Sequence, residues 1–190
     1  MARLDEEASN SVNDALELLT RDHVIVRQLF EAFKAAGAQQ LDPLARRICK
    51  MLRVHTQIEE EIFYPIARRA LGDDHLIDDA EREHAEAKRS ILHVESMTSD
   101  HPEFKSSVEK LASEVEQHVQ EEEGEIFPKL RESGIDLVTL GIALAERRDT
   151  LLDVLGLHHD DEEGAENLRE VQAAAMRARE NSSDSFRQRN

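Results

Sequence analysis

Hydrophobic residues recur every three or four positions along most of the chain, which is the period of an amphipathic α-helix. Four long segments show this pattern, and short polar or glycine-containing stretches separate them. The apolar stripes run through residues 16–33, 44–63, 77–94 and 104–126. Each segment predicts a helix of about 25–30 residues, roughly 40 Å long. Because short connections make consecutive long helices antiparallel neighbours, the pattern predicts an all-α, up-down-up-down four-helix bundle.

Local signals predict where these helices begin and end. The expected N-terminal caps are Ser11 or Asn13, Asp42, Asp73 or Asp74, and Asp100. A proline follows Asp42 directly and Asp100 after one residue, and proline fits the first turn of a helix. The expected helix ends are Gly37, Leu71-Gly72, Met97 and Gly134.

Two prolines fall inside the predicted second and fourth helices. Pro65 and Pro128 each follow a histidine at the same distance. A proline within a helix removes a hydrogen bond and clashes with the carbonyl four residues earlier, at a cost of about 3 kcal/mol. Because the placement is repeated, we expect a kink in both helices.

The remaining chain predicts a fifth helix and a polar tail. Apolar residues between Ile135 and Leu155 indicate a helix that packs outside the bundle. We expect residues 1–10 to be a flexible N-terminus and residues 11–156 to form the bundle with its fifth helix. Residues 157–190 are expected to be an acidic linker and a partly disordered tail, with an exposed helix over residues 167–179.

Composition excludes several classes of protein. The formal net charge is −17, whereas nucleic-acid binding needs a basic surface and anionic membranes repel acidic proteins. The single cysteine, Cys49, cannot form an internal disulfide and is expected to pack as a small apolar residue. No stretch approaches the roughly 20 apolar residues of a membrane span, and the N-terminus lacks a secretory signal. We therefore expect a cytoplasmic location, with no nucleic acid or membrane as partner.

Two repeated motifs carry the candidate chemistry. His55-Thr-Gln-Ile-Glu59 recurs as His118-Val-Gln-Glu-Glu122, and an aromatic residue and a proline follow at the same offsets. Arg21-Asp22-His23 recurs as Arg82-Glu83-His84. The repeats are offset by 63 and 61 residues, respectively, which indicates a duplicated pair of helices.

The spacing of these motifs indicates a buried metal site. Residues four apart on a helix lie about 40° apart around its axis, so each His-x-x-x-Glu motif points an imidazole and a carboxylate the same way. His23 and His84 also lie on apolar stripes, where an unpartnered polar group costs several kcal/mol. A solvated His–Glu pair is the ordinary explanation of one such motif. A pair of metal ions explains the repeated set, because it satisfies all the side chains together.

The types of donor atom limit which metal ions the site suits. Imidazole and carboxylate without thiolate suit iron, manganese or zinc and disfavour copper(I). Two bridging carboxylates with two histidines per metal form a di-iron pattern that leaves room for a small ligand. The expected apolar lining of the ligand pocket is Met51, Phe63, Val115 and Ile126. The other histidines are expected to be ordinary residues that bind no metal, namely His75, His93, His101, His158 and His159. The glutamates beside the two motif glutamates are expected to lie on mostly solvated faces, namely Glu60, Glu61, Glu121 and Glu123.

From about Asp14 to Gly156, the four spaced motifs resemble the hemerythrin family, specifically the bacterial hemerythrin-like domains with the His-His-Glu cation-binding motif. The resemblance implies a bundle around a non-haem, oxo-bridged pair of iron ions, in preference to zinc or manganese. The implied ligands are His23 and His55 for one iron, His84 and His118 for the other, and Glu59 and Glu122 as bridges.

The sequence departs from the family pattern at one position. Oxygen-carrying hemerythrins have a fifth histidine one turn after the third-helix histidine, where this chain has Lys88, matched by Arg27 in the first repeat. Glu81, one turn before His84, and Tyr64 are the candidate replacement ligands. An extra anionic ligand would favour the ferric state of the iron, and this would disfavour reversible oxygen carriage.

These features predict a di-iron protein that binds or reacts with O₂, peroxide or nitric oxide in stress or in iron and oxygen homeostasis. Weak catalase-like or peroxide-reducing turnover is one version of this prediction, as the resemblance to some relatives implies. The alternative is an iron- or oxygen-sensing or storage module without turnover, acting through the fifth helix and tail. The third hypothesis is a structural helical bundle that binds no metal.

Overall fold

The computed structural model describes residues 14–157. It contains the helices α1 (Ala15–Ala35), α2 (Ala38–Ile58), α3 (Tyr64–Leu71), α4 (Asp74–Glu95), α5 (Phe104–Glu121), α6 (Phe127–Glu132) and α7 (Leu137–Leu155). A π-helical turn, Glu59–Phe63, joins α2 to α3, and a second one, Glu122–Ile126, joins α5 to α6. Each of these composite helices corresponds to one predicted long helix.

The long helices form a closed ring around the core. Helix α1 packs against α2 and α5, and α4 packs against the same two helices from the opposite side. The apolar residues of the predicted stripes are buried between them, with Ile48, Ile91 and Leu111 fully inside. The four-helix bundle predicted from the hydrophobic pattern is therefore confirmed.

Several helix boundaries differ from the sequence prediction. Helix α1 ends at Ala35, and Gly37 has a φ of −75° and is the N-cap of α2 rather than a left-handed end of α1. Helix α2 consequently begins at Ala38, and Pro43 lies inside it. The carboxylate of Asp42 accepts a hydrogen bond from the backbone N–H of Ser99 (3.0 Å) instead of capping its own helix. A distant partner thus replaced the local role that the sequence suggested.

The first helix and the predicted fourth helix also begin later in the chain than the sequence predicted. Asp14 caps α1 by accepting a hydrogen bond from the N–H of Glu17 at 2.9 Å. Ser11 and Asn13 lie outside the described residues. Helix α5 starts at Phe104 with Glu103 as its N-cap, so the predicted cap Asp100 lies in the preceding turn.

Other predicted ends are confirmed by their backbone geometry. Gly72 and Gly134 have φ values of 61° and 75°, a left-handed conformation that favours glycine. Asp73 caps α4 by accepting a hydrogen bond from the N–H of Leu76 at 3.3 Å.

Each proline is accommodated by a π-helical turn. Pro65 and Pro128 both lie in the first turn of the short helix that follows the π turn. The missing N–H of proline costs least there, because the first N–H groups of an α-helix have no hydrogen-bond acceptor within that helix. The structure thus places an extra helical residue, rather than a simple break, at each point for which a kink was predicted.

Helix α7 is the predicted fifth helix and lies on the outside of the bundle. Asp136 caps it, and it packs against α1 and α2. None of the helices between residues 14 and 157 has the length and apolar character that a bilayer crossing requires. The predicted N-terminus over residues 1–10 lies outside the described residues, as does the predicted tail over residues 157–190, with its helix at 167–179, apart from its first residue. That residue, Leu157, is buried against the bundle.

Candidate metal centre

The four motif histidines and two motif glutamates converge at the centre of the bundle. All six side chains are buried, and Glu59 and Glu122 are fully inaccessible to solvent. Helices α1, α2, α4 and α5 each contribute one histidine, and each glutamate is the first residue of a π turn. The set is His23, His55, Glu59, His84, His118 and Glu122. A π turn inside an α-helix frequently marks a functional site.

One half of the centre is built from His23 and His55. Their Nε2 atoms lie 3.1 Å apart. The Nε2 of His55 is 3.1 Å from a carboxylate oxygen of Glu59, and the Nε2 of His23 is 3.3 Å from one of Glu122. These four side chains offer ligand atoms that all lie within 4.8 Å of one another.

The other half repeats this arrangement with His84 and His118. Their Nε2 atoms are again 3.1 Å apart. Glu59 lies 3.3 Å from His84 through the same oxygen that faces His55, and Glu122 lies 4.0 Å from His118. Both glutamates therefore face a histidine from each half, and a chelating group of Glu59, His84 and His118 adjoins the first group. The structure thus brings together all six side chains that the sequence motifs single out.

The two central carboxylates lack ordinary partners. Both oxygens of Glu59 and both oxygens of Glu122 are buried without a hydrogen bond to any described residue. A buried carboxylate without such a partner costs several kcal/mol. This orphaned pair indicates that a cation belongs between them.

The buried side chains of the centre shift one another's pKa values. Burial and the neighbouring charge of Glu122 together raise the pKa of Glu59 to about 8, against the opposing charges of the histidines. Burial also acts to raise the pKa of Glu122, but the close approach of His23 (3.3 Å) and the charges of the histidines outweigh it and lower the pKa to about 2. Burial lowers the pKa of His23, but Glu122 and Glu123 overcome this effect and raise it to about 10. These shifts arise because buried carboxylates need nearby positive charge, which a protonated histidine or a bound cation can supply.

A second layer of carboxylates faces the outer nitrogens of the histidines. Nδ1 of His23 lies 2.7 Å from Glu123, and Nδ1 of His84 lies 3.1 Å from Glu60. The sequence analysis placed both glutamates on mostly solvated faces, but their side chains are only 30% and 31% exposed, respectively. That expectation was wrong, because each glutamate directly follows a central glutamate and reaches a histidine on the neighbouring helix.

The other two histidines are matched by acidic residues from the second repeated motif. Nδ1 of His118 lies 3.0 Å from Glu83, and Nδ1 of His55 lies 3.9 Å from Asp22. Carboxylates in this position fix the orientation of a histidine that binds a metal through its other nitrogen. The repeated acidic residue before His23 and His84 was the sequence signal for this layer.

Lys88 and its match in the first repeat, Arg27, are both cations that lie near the centre. Lys88 forms an ion pair with Glu60, and Arg27 lies 3.9 Å from Glu123 while pairing with Glu116 at 2.9 Å. Both cations thus contact a carboxylate that faces a histidine.

The two candidate replacement ligands have different surroundings. Glu81 is 45% exposed and pairs with Arg68 at 3.1 Å, so the structure does not bring it to the centre. Tyr64 is fully buried, and its hydroxyl lies 3.1 Å from Nε2 of His84 and 3.4 Å from Nε2 of His118. Burial and the charges of Glu122 and Glu59 raise the pKa of Tyr64 well above its usual value.

A small cavity of about 20 Å³ adjoins the four histidines. This volume accommodates about one water-sized molecule. Its apolar lining consists of Val26, Leu52, Ala87, Val115 and Val119. Of the four residues expected to line it, Val115 does so, whereas Met51, Phe63 and Ile126 are buried elsewhere in the core.

The fold and the centre define a class of protein, namely helical bundles with a cluster of buried histidines and glutamates suited to binding cations. The chain belongs to the hemerythrin family, because the model of the hemerythrin HHE cation binding domain matches residues 14–130. The family that the sequence motifs resemble is therefore confirmed.

Two known proteins are similar to this chain to different extents. The structure is similar to that of a hemerythrin HHE cation binding domain-containing protein from Mycobacterium kansasii, with a TM-score of 0.67 and 22% identity over 84% of this chain and 99% of that chain. This likeness shows the shared fold. A DNA nickase from Nostoc sp. (strain PCC 7120 / SAG 25.82 / UTEX 2576) is 32% identical over 119 residues, which cover 60% of this chain and 33% of that protein. The chain thus spans about a third of the length of the curated relative that it matches.

Proposed function

We propose that this protein binds two iron ions in the bundle centre and reacts there with small oxidants such as O₂, peroxide or nitric oxide. The observation that carries the proposal is the pair of buried carboxylates, Glu59 and Glu122, whose oxygens have no hydrogen-bond partner among residues 14–157. Four imidazole nitrogens surround them, and two chelating groups share Glu59. A pair of divalent or trivalent cations would satisfy these atoms together.

The donor set fits iron. Imidazole and carboxylate donors without thiolate suit iron, manganese or zinc, and the family resemblance favours iron among these. In this arrangement the ligands would be His23 and His55 for one ion, His84 and His118 for the other, and Glu59 and Glu122 between the two. When bound, the iron pair supplies one-electron redox chemistry and an open position for a small ligand.

The protein itself contributes orientation, proton control and exclusion of larger molecules. The acceptor carboxylates at Nδ1 hold the histidines with Nε2 toward the centre. Tyr64 keeps its proton at neutral pH in the cation-free protein, and its hydroxyl can donate that proton beside His84. The mostly apolar cavity of about 20 Å³ has room for about one water-sized molecule, which favours small ligands over bulky ones.

Metal counting tests the proposal directly. We expect the purified protein, loaded anaerobically with Fe²⁺, to contain about two irons per chain by mass spectrometry and to show oxo-to-iron absorption in the near ultraviolet after oxidation. His118→Ala and Glu122→Gln should lower the iron content. The controls are His93→Ala and Glu125→Gln, because both residues are exposed. His93 lies on the neighbouring helix α4, and Glu125 lies in the same π turn as Glu122. Equal iron content in the site and control variants would contradict the proposal.

Peroxide consumption separates turnover from storage or sensing. If the protein turns peroxide over, the wild type and His93→Ala should consume it faster than His118→Ala, with bleaching and recovery of the absorption. Equal rates with intact iron content would favour the sensing or storage module instead. Absence of iron after ferrous loading would favour a metal-free bundle.

A role on DNA has little support in this chain. The matching DNA nickase shares only about a third of its length with this protein. The formal net charge of −17 opposes approach to a polyanion. We therefore do not extend the relative's name to this protein.

A further inference from the structure

Helix α7 lies outside the residues that the family model matches, yet it contacts the surroundings of the centre. It packs against α1, α2 and the first π turn. Two consecutive arginines of α7 form ion pairs with the bundle. Arg147 pairs with Glu61 at 2.6 Å, and Nη2 of Arg148 lies 3.3 Å from Oδ1 of Asp22.

Asp22 lies between helix α7 and a histidine of the centre. Its side chain is 2% exposed, and its second oxygen faces Nδ1 of His55 at 3.9 Å. A buried carboxylate is strongly destabilising when its cationic partner is removed. Arg148 therefore supplies the charge that allows Asp22 to remain beside His55.

The same order of groups occurs twice more around the centre. Lys88 contacts Glu60, which accepts from His84. Arg27 contacts Glu123, which accepts from His23. A cation, a carboxylate and an imidazole thus form a recurring arrangement, and Arg148 is its member from outside the four-helix bundle.

The contact with α7 distinguishes the two halves of the duplicated structure. In the second repeat, Glu83 stands where the first has Asp22, and Gly124 stands where the first has Glu61. Glu83 reaches His118 directly at 3.0 Å, whereas Asp22 lies 3.9 Å from His55 and forms its ion pair with Arg148 of α7. Gly124 has no side chain to pair with an arginine. Helix α7 therefore acts on the half-site of His23 and His55.

We propose that Arg148 is a positioning residue that couples the docking of α7 to metal occupancy of the His23–His55 half-site. This inference rests on the proposed binding of two metal ions. Arg148 holds Asp22 by an ion pair at 3.3 Å. The carboxylate of Asp22 lies 3.9 Å from Nδ1 of His55, beyond hydrogen-bond distance, where its negative charge favours the ring orientation that points Nε2 to the centre. Because coupling between two binding events is reciprocal, a metal at this half-site also stabilises the docked position of α7.

The first test compares two neighbouring arginines. Wild-type protein, Arg148→Gln and Arg147→Gln are loaded with Fe²⁺ without oxygen, and iron is then removed with a ferrous chelator. We expect Arg148→Gln to release one of its two irons about 10-fold faster or more, as for loss of a residue that orients a ligand. Arg147→Gln should release both irons like the wild type, because Arg147 pairs with Glu61 rather than Asp22. Arg148→Lys should restore most of the retention, since it keeps the charge.

The second test measures the reciprocal effect by hydrogen exchange. Loading with Fe²⁺ should slow amide exchange in residues 137–155 of the wild type and of Arg147→Gln, but not in Arg148→Gln. Equal behaviour of the two glutamine variants in both experiments would overturn the inference, because α7 would then act through packing or not at all. If Arg148→Gln does not fold, Asp22→Asn replaces it and should lose the same single iron. Failure of the wild type to take up two irons would instead count against the proposed function.

Discussion

The hydroxyl of Tyr64 lies 3.1 Å from Nε2 of His84, in the half of the centre formed by His84 and His118. Phe127 occupies the equivalent place in the other repeat and stacks on His23, with ring centroids 6.0 Å apart. The duplication is thus broken next to the ligands. One half-site has a phenol beside it and the other has a hydrocarbon ring.

This asymmetry predicts a selective effect of Tyr64→Phe. We expect the variant to keep both irons, because the six histidine and glutamate side chains remain. Its visible spectrum and its rate of reaction with peroxide should change, because a proton donor or ligand beside His84 and His118 is lost. Metal analysis, absorption spectra and peroxide consumption measure these effects, with His93→Ala as control. A spectrum and rate identical to those of the wild type would show that the phenol takes no part.

The carboxylates at Nδ1 provide a sharper comparison, because Glu122 has an acidic neighbour on each side. Glu123 lies 2.7 Å from Nδ1 of His23, whereas Glu121 is exposed and accepts from Gln117 at 3.0 Å. We expect Glu123→Ala to weaken iron binding by about 10- to 100-fold and Glu121→Ala to leave it unchanged. Competition with a ferrous chelator measures both affinities. Similar losses in both variants would point to a general effect of charge rather than to the contact with His23.

The helices and the six central side chains were predictable because their signals are local and repeated. The spacing of His55 and Glu59 places both on one face of a helix whatever the rest of the chain does. The recurrence of the motif at His118 and Glu122 then requires a second helix of the same kind. Burial follows from the apolar residues on the same stripe.

Contacts between distant helices were not predictable in the same way. The sequence predicts that Asp42 caps a helix, but its carboxylate accepts a hydrogen bond from Ser99, which lies 57 positions away in sequence. Glu60 reads as part of a solvated run, yet the π turn and the packing of α4 bring it to His84. The contact between Arg148 and Asp22 depends on where α7 docks, which no local pattern specifies.

Metal removal should destabilise the folded protein. Without a cation, Glu59 and Glu122 face each other in the core without hydrogen bonds, and burial raises the pKa of Glu59 to about 8. A ligand that binds only the native state at 100 times its Kd adds about 2.7 kcal/mol to the free energy of unfolding. We therefore expect the iron-loaded protein to have a higher Tm than the metal-free one, with a smaller difference in His118→Ala. A Tm that does not respond to Fe²⁺ in the wild type would contradict this prediction.

Cys49 should be chemically inert in the folded protein. Its side chain is 1% exposed, and burial raises the pKa of its thiol from 9.0 to about 12. Because the folded state holds the proton more tightly, the thiol favours folding below the unfolded pKa, and this contribution is lost as pH rises from 9.0 toward 12. We expect slow alkylation by iodoacetamide at neutral pH and rapid alkylation after unfolding in urea. Rapid labelling of the native protein would show that this part of the core opens readily.

The cavity beside the histidines offers a way to separate metal binding from ligand binding. Ala87 lines this cavity of about 20 Å³, whereas Ala80 lies two turns earlier on the same helix, is also buried and does not line it. Enlarging either residue to leucine should cost about 1–3 kcal/mol of stability through overpacking. Only Ala87→Leu should fill the space next to the metal centre. We expect both variants to keep about two irons, but Ala87→Leu to react with peroxide and nitric oxide more slowly than Ala80→Leu. Stopped-flow absorption measures both reactions, and equal rates in the two variants would show that small ligands reach the centre by another route.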